Sequence, residues 1–154
     1  MVIKMKNNTN EKDKKGVVPS SALTHNVFIV WKPEYNLGIP IIDEQHRGVV
    51  TIINSLHYGM QSSNIKNILP PTIGMLHSYA DIHFQTEEYF LKTIDYPGAA
   101  NHRLLHQEYT SKLAGIEIEI SADRDPRQLM GFLKKWWLGH ICEEDMQFIM
   151  HFSI

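Results

Sequence analysis

Cysteine is nearly absent from this 154-residue chain: Cys142 stands alone, so no internal disulfide and no Cys-x-x-Cys metal site can form. Charge of one sign is also missing. Fifteen Lys and Arg against seventeen Asp and Glu leave a formal net charge of -2, with neither the basic footprint that nucleic acid requires nor a polybasic patch for a membrane surface. No apolar run approaches the roughly 18 residues that would span a bilayer. The lysines near the start lead into no apolar segment with a small-residue cleavage site, which argues against a secretory signal and sets the cytoplasm as the expected location. What remains is 43% hydrophobic and 21% charged, the balance of one globular domain able to hide about two-thirds of its unfolded surface. Against these absences, nine histidines stand out.

Residues 1–25 read as a mobile polar leader, rich in Asn and Lys and without apolar periodicity, and residues 26–154 as the domain. Val27 to Trp31 is an apolar patch with no later strand to pair with, so it is expected to lie as an arm across the end of a helical domain. Four amphipathic segments follow. The first starts at Pro40 and ends near Gly59, with His46, Val49, Val50, Ile53 and Leu56 on one stripe. The second is expected to start after Pro70-Pro71-Thr72, with Ile73, Leu76, Ala80, His83, Glu87, Phe90 and Ile94 inward. Tyr96-Pro97-Gly98 stops it. The third carries His102, His106, Tyr109, Leu113, Ile116 and Ile120. The fourth opens at Asp125-Pro126, an N-cap followed by proline at the first helical position, and runs through Leu129, Leu133, Trp136, Trp137, His140, Ile141 and Phe148. Short connections make neighbouring helices antiparallel. The expected fold is all-α: an up-down-up-down antiparallel four-helix bundle with an N-terminal arm.

The stripes hold groups that a plain core avoids, since an unpaired buried charge is costly. His46 is near the start of helix one, His83 and Glu87 near the end of helix two. His102 and His106 open helix three, and His140 is near the end of helix four. In an antiparallel bundle these places meet at one level of one end, while Leu76, Ile116, Ile120 and Leu129 keep the other end apolar. Each pair alone is a weak signal. Two residues four apart, as in His102/His106 or His83/Glu87, share a helix face about 6 Å apart along the axis, and a lone pair of this kind is more often ordinary surface or core. The zincin and inverzincin patterns fail for want of a correctly placed Glu. Together on one level, the groups point to a metal. Helix four leaves an ambiguity: α-helical phase favours Glu144, four residues past His140, over Asp145, which is rotated by about 140°. His25, His57, His77 and His151 fall off this level and read as ordinary, and Cys142 as a thiol facing away.

Asp43-Glu44-Gln45-His46, His83-Phe84-Gln85-Thr86-Glu87-Glu88, His102 with His106, and His140 with Asp145 resemble the hemerythrin family in its bacterial branch. The likeness runs from about Trp31 to Phe148 and keeps the order and spacing of seven positions. It implies two iron ions, one bound by His102, His106 and His140 and the other by His46 and His83. It also implies that Glu87 and Asp145 bridge them beside an oxo or hydroxo group, with Glu143 and Glu144 as solvated charges. Two octahedral ions so ligated keep one vacant position, on the ion with two histidines, where dioxygen or a small anion such as azide binds. The resemblance implies a pocket there lined by the residues at Trp137 and Ile141. An aliphatic side chain is usual where this chain has Trp137, whose α-helical phase, three residues before His140, directs it toward the site.

The function these features imply is reversible dioxygen binding, as carrier, store or sensing input, rather than enzymatic turnover. Ferritin-like di-iron oxidases use four carboxylates and repeated Glu-x-x-His pairs, which the matching helices here lack. Two further classes compete: a redox or nitric-oxide sensing module acting through a signalling partner or fused domain, and an enzyme with peroxidase-like or nitric-oxide-reducing chemistry. Slow autoxidation with reversible oxygenation separates the first class from rapid turnover in the last.

Overall fold

Four apolar stripes joined by short connections fold back on one another in the only way those connections permit. The computed structural model describes residues 27–61, 65–123 and 125–152, so the leader expected at residues 1–25, His25 included, falls outside the described residues. Among the described residues all regular structure is helical: a 3-10 turn (Pro33–Tyr35), then α1 (Pro40–Met60), α2 (Ile65–Thr93), α3 (Ala99–Asp123), α4 (Arg127–Lys135), a π-helical stretch (Trp136–Glu144) and α5 (Asp145–Phe152). The last three run on without a break as one fourth helix. Each helix packs on the next, and α4 packs back on α1, closing the bundle.

The second helix begins earlier than the sequence suggests. Pro70 and Pro71 lie inside α2, not ahead of it. The Thr72 hydroxyl donates to the Ile68 carbonyl at 2.8 Å, one turn back. Ile68 also sits under Gly59, where an added Cβ would lie 3.0 Å from its Cδ1, so close passage of the two chain segments holds this proline-containing turn against α1. The other end of α2 closes as expected before Pro97. Asp95 takes a left-handed φ of 49°, and the Tyr96 and Asp95 amides donate back to the carbonyls of Leu91 and Lys92 at 3.0 and 3.2 Å, a Schellman closure. At the start of the fourth helix Asp125 accepts the Arg127 amide at 3.0 Å, but the helix opens one residue later than expected, at Arg127, with Pro126 and not Asp125 at the N-cap.

The arm follows the flank of α1 instead of crossing the bundle end. The Asn54 side chain treats it as a strand partner, accepting the Phe28 and Ile29 amides at 2.9 Å each and donating to the Ile29 carbonyl at 2.8 Å. Further along, the Arg47 guanidinium lies 4.3 Å from the Trp31 ring. Asp43 then accepts the Leu37 and Gly38 amides, with Gly38 in the left-handed region at φ 81°. The backbone hydrogen bonds of an unpaired extended segment are thus met by side chains of α1.

Two apolar cores result. The larger holds Val49, Ile53, Leu56, Leu76, Leu113, Leu129 and Leu133 among others. A smaller one contains Leu37, Ile42, Leu91 and Phe148. The polar level expected at one end of the bundle therefore has its own apolar cluster, formed where the arm meets α1, α2 and α5.

Candidate metal centre

His46, His83, Glu87, His102, His106, His140 and Asp145 are all buried, the first six from the helix and phase that the stripes assign and Asp145 against the α-helical phase. They come together in two groups that share Glu87. One is Glu87, His102, His106 and His140; the other is His46, His83, Glu87 and Asp145; within each group the potential ligand atoms lie within 4.8 Å of one another. Glu87 Oε2 stands 3.0 Å from His106 Nε2, 3.1 Å from His102 Nε2, 3.8 Å from His140 Nε2 and 3.9 Å from His83 Nε2. Asp145 reaches across the same level, with Oδ2 at 3.2 Å from His46 Nε2 and Oδ1 at 3.4 Å from His102 Nε2.

The winding of the fourth helix brings Asp145 inward. Between His140 and Asp145 the chain is π-helical, and the Asp145 amide donates to the His140 carbonyl, five residues back. With i→i+5 closure a residue five positions on lies about one turn away, so His140 and Asp145 share a face that α-helical winding would deny them. Glu144 is not the freely solvated charge that was expected: its Oε2 accepts from His140 Nδ1 at 2.9 Å. Glu143 is exposed.

The same winding corrects the reading of the two tryptophans. Four residues before His140, Trp136 stacks on its imidazole with centroids 6.4 Å apart. Trp137 turns to the arm, its ring edge-on to Tyr35 at 5.3 Å and to Trp31 at 5.9 Å. The α-helical phase that aimed Trp137 at the site does not apply in a π-helical stretch. Ile141 is buried in the larger core with both tryptophans.

Gln45 and Glu88, to which the sequence reading gave no role, and Glu144, which it read as solvated, orient the imidazoles. His83 Nδ1 donates to Gln45 Oε1 at 3.1 Å, and Gln45 in turn donates to the Thr86 hydroxyl at 3.0 Å. His106 Nδ1 donates to Glu88 Oε1 at 3.0 Å, as His140 Nδ1 does to Glu144. With the proton on Nδ1, His83 and His140 each direct an Nε2 lone pair into the centre, and His106, whose Nε2 lies 3.0 Å from Glu87 Oε2, would do so once a cation replaced that hydrogen bond. Each partner adjoins a predicted ligand in sequence or lies one α-helical turn from it, which is the signal that could have found them. Phe84 stacks on His106 at 4.0 Å and Tyr79 on His83 at 5.2 Å, walling the level with aromatic faces.

Electrostatics make the level a poor place for bare protein groups and a good one for cations. Burial lowers His46 to about 4 and also lowers His83 and His140, so these rings stay neutral. Burial pushes the Asp145 carboxyl well up, with Glu87 and Glu144 adding to the effect. Burial acts on Glu87 in the same sense but is outweighed by hydrogen bonds from His102 and His106, which hold its carboxyl well below the usual range. Two enclosed carboxylates cannot both ionise beside neutral imidazoles unless positive charge joins them. Side-chain atoms without any hydrogen-bond partner gather here as well: both ring nitrogens of His46, Nε2 of His83 and His140, Oε1 of Glu87 and both oxygens of Asp145. Buried polar atoms are normally satisfied, and a set of nitrogen and oxygen donors facing inward fits a pair of metal ions.

Residues 37–152 match the family described as the hemerythrin HHE cation binding domain. The chain belongs to the hemerythrin family. Among its relatives, a bacteriohemerythrin from Clostridium acetobutylicum is 32% identical over 79% of this chain and 99% of its own length. A bacteriohemerythrin from Stenotrophomonas maltophilia is 29% identical over 79% of each chain. A hemerythrin from Sipunculus nudus is 28% identical over 77% of this chain and 89% of its own. Hemerythrin membership accounts for the bundle and for a cation-binding level within it. No helix among the described residues is long and apolar enough to cross a membrane. The histidines read as ordinary have surface roles: His57 contacts Gln61 at 2.7 Å, His77 contacts Glu117 at 2.9 Å, and His151 lies against the Tyr96 ring. Cys142 is half-buried, and burial raises its thiol to about 11.

Proposed function

We propose that this hemerythrin domain binds dioxygen reversibly at two iron ions, acting as a carrier, store or sensing input in the cytoplasm and not as an enzyme. His102, His106 and His140 would hold one ion and His46 and His83 the other, with Glu87 and Asp145 bridging. One observation carries the reading: two buried groups of imidazole and carboxylate share Glu87, and Nε2 of His46, His83 and His140, Oε1 of Glu87 and both Asp145 oxygens find no hydrogen-bond partner in the protein. Family membership supports iron as the metal, and the preponderance of imidazole over carboxylate supports oxygen binding over oxygen activation. A di-iron pair so held supplies the two electrons that dioxygen takes up on binding.

The chain's own residues set the terms of that binding. Gln45, Glu88 and Glu144 fix the rings against rotation by holding the Nδ1 protons. Phe84, Tyr79 and Trp136 shield the level from bulk water, which suppresses proton entry and oxidative loss. Leu37, Ile42, Leu91 and Phe148 form the second apolar cluster of this part of the bundle.

The test is anaerobic loading with Fe(II), metal analysis, and optical spectra through cycles of oxygenation and evacuation. Two irons per chain and a spectrum that reverses support the proposal. A single tightly held ion, or oxidation that evacuation cannot reverse, refutes it. Rapid turnover of peroxide or nitric oxide would place the domain among enzymes.

A further inference from the structure

Tyr79 precedes His83 by one α-helical turn, and its ring stacks on the His83 imidazole with centroids 5.2 Å apart and planes 24° from parallel. Trp136 closes the other side, edge-on at 5.7 Å. The ring is only partly buried, yet its hydroxyl oxygen is shut away from solvent and has no hydrogen-bond partner. A phenol set in a helix could have turned its tip to water, and tyrosine hydroxyls that are buried usually find a partner.

The two halves of the centre differ in their walls. On the side of His102, His106 and His140 the closest stacked ring is Phe84, 4.0 Å from His106, which has no polar tip; Tyr109 lies tilted 5.1 Å from His140, but its hydroxyl is not a buried atom lacking a partner. On the side of His46 and His83 the stacked ring is a tyrosine. Trp136 also carries an indole N–H without a partner, but its ring stacks on His140, in the three-imidazole half. Tyr79 alone puts an unsatisfied hydroxyl against a ring of the two-imidazole half.

We infer that Tyr79 is a positioning residue whose hydroxyl donates a hydrogen bond to the small ligand held on the His46/His83 side of the centre. Such a bond strengthens as negative charge gathers on the ligand, so it favours anions and reduced dioxygen over neutral molecules of the same size. The inference rests on the two-ion reading above.

Tyr79→Phe removes the hydroxyl and keeps the ring. In the metal-free protein it should leave the melting temperature unchanged or slightly higher, because the hydroxyl has no protein partner to lose. With two irons loaded and counted, azide should bind about tenfold to a hundredfold more weakly than to wild type, the scale of a hydrogen bond to a charged acceptor. The bound azide vibration should shift between H2O and D2O in wild type and stay fixed in the variant, a signature that packing alone does not move. Equal azide affinity and equal isotope sensitivity at two irons per chain overturn the role of Tyr79 and leave the centre standing. A clear loss of metal-free stability also overturns it, by showing that the hydroxyl serves the fold. A wild-type chain that binds fewer than two ions overturns the centre itself, and this inference with it.

Discussion

Replacing Glu87 by glutamine changes one buried charge and almost no volume, and it should act strongly on the loaded protein and weakly on the metal-free one. Glu87 Oε2 lies within 3.9 Å of four imidazole Nε2 atoms, so in the loaded protein its charge is close to both ions. A unit pair about 4 Å apart at an effective dielectric of about 20 is worth about 4 kcal/mol, and about 1.4 kcal/mol is a factor of ten. Glu87→Gln should therefore weaken iron binding by roughly a thousandfold at least, with loss of one or both ions on dialysis. Without metal the effect is small. The hydrogen bonds from His102 and His106 outweigh the desolvation cost of the Glu87 carboxylate, and an amide oxygen of the same shape can still accept from both rings. The metal-free variant should melt within a few degrees of wild type, while the rise in melting temperature on adding Fe(II) should largely vanish. Metal analysis and paired melting curves read both effects. Two irons retained with a full wild-type rise would show that Glu87 does not link the ions.

The remaining predictions address pH, the outer hydrogen bonds and the aromatic wall. Folded His46, near 4, lies below its unfolded value of 6.5, so the unfolded chain takes up more protons between these values and stability falls as pH drops through that window, by about 3 kcal/mol for this ring. His83 and His140 are lowered as well and add in the same sense; a metal-free melting temperature that holds steady or rises from pH 6.5 to 4 would contradict this. Glu144→Ala frees His140 Nδ1 and should cost about tenfold to a hundredfold in iron affinity, measured by competition with a chelator, where a merely solvated charge would cost nothing. Trp137→Leu should destabilise the fold by about 1–3 kcal/mol and loosen the arm, seen as faster amide exchange at Ile29, with azide association unchanged. Trp136→Leu should speed azide association in stopped flow, and the reverse ordering of the two variants would show that the pocket wall is Trp137 after all.

The bundle was legible because its signals are local and redundant. Apolar stripes, the proline and glycine stops and the Asp125-Pro126 start each mark the helices independently, and four short-linked helices have few ways to pack. Pro70 and Pro71 misled because proline is read as a boundary, whereas tertiary contact beneath Gly59 and the Thr72 hydroxyl keep the helix running through them. The arm misled for a different reason. Nothing in an extended segment says what will satisfy its amides, and Asn54, an ordinary mid-helix residue by pattern, supplies that pairing some 25 positions away.

The fourth helix shows why the finer detail of the site stayed out of reach. Every phase inference there assumed about 100° per residue, and one change of winding undid several of them together. It made Asp145 the inward carboxylate, reduced Glu144 to a partner of the outer ring nitrogen and turned Trp137 to the arm, while Trp136, four residues before His140, kept its place over that ring. These are one event with three consequences. π-helical closure is the less favourable winding and recurs at functional sites, and here the polar level gives it a reason. Continued α-helically, the chain would leave Asp145 about 140° away from His140 and the His46 side of the level without its carboxylate. Cations at that level would favour the π winding, and a chain stripped of them should relax toward α-helical phase. Amide exchange at Asp145, whose N–H closes onto His140, is the direct probe: protection should rise with metal loading, and equal protection in both states would mean that the winding is set by packing alone.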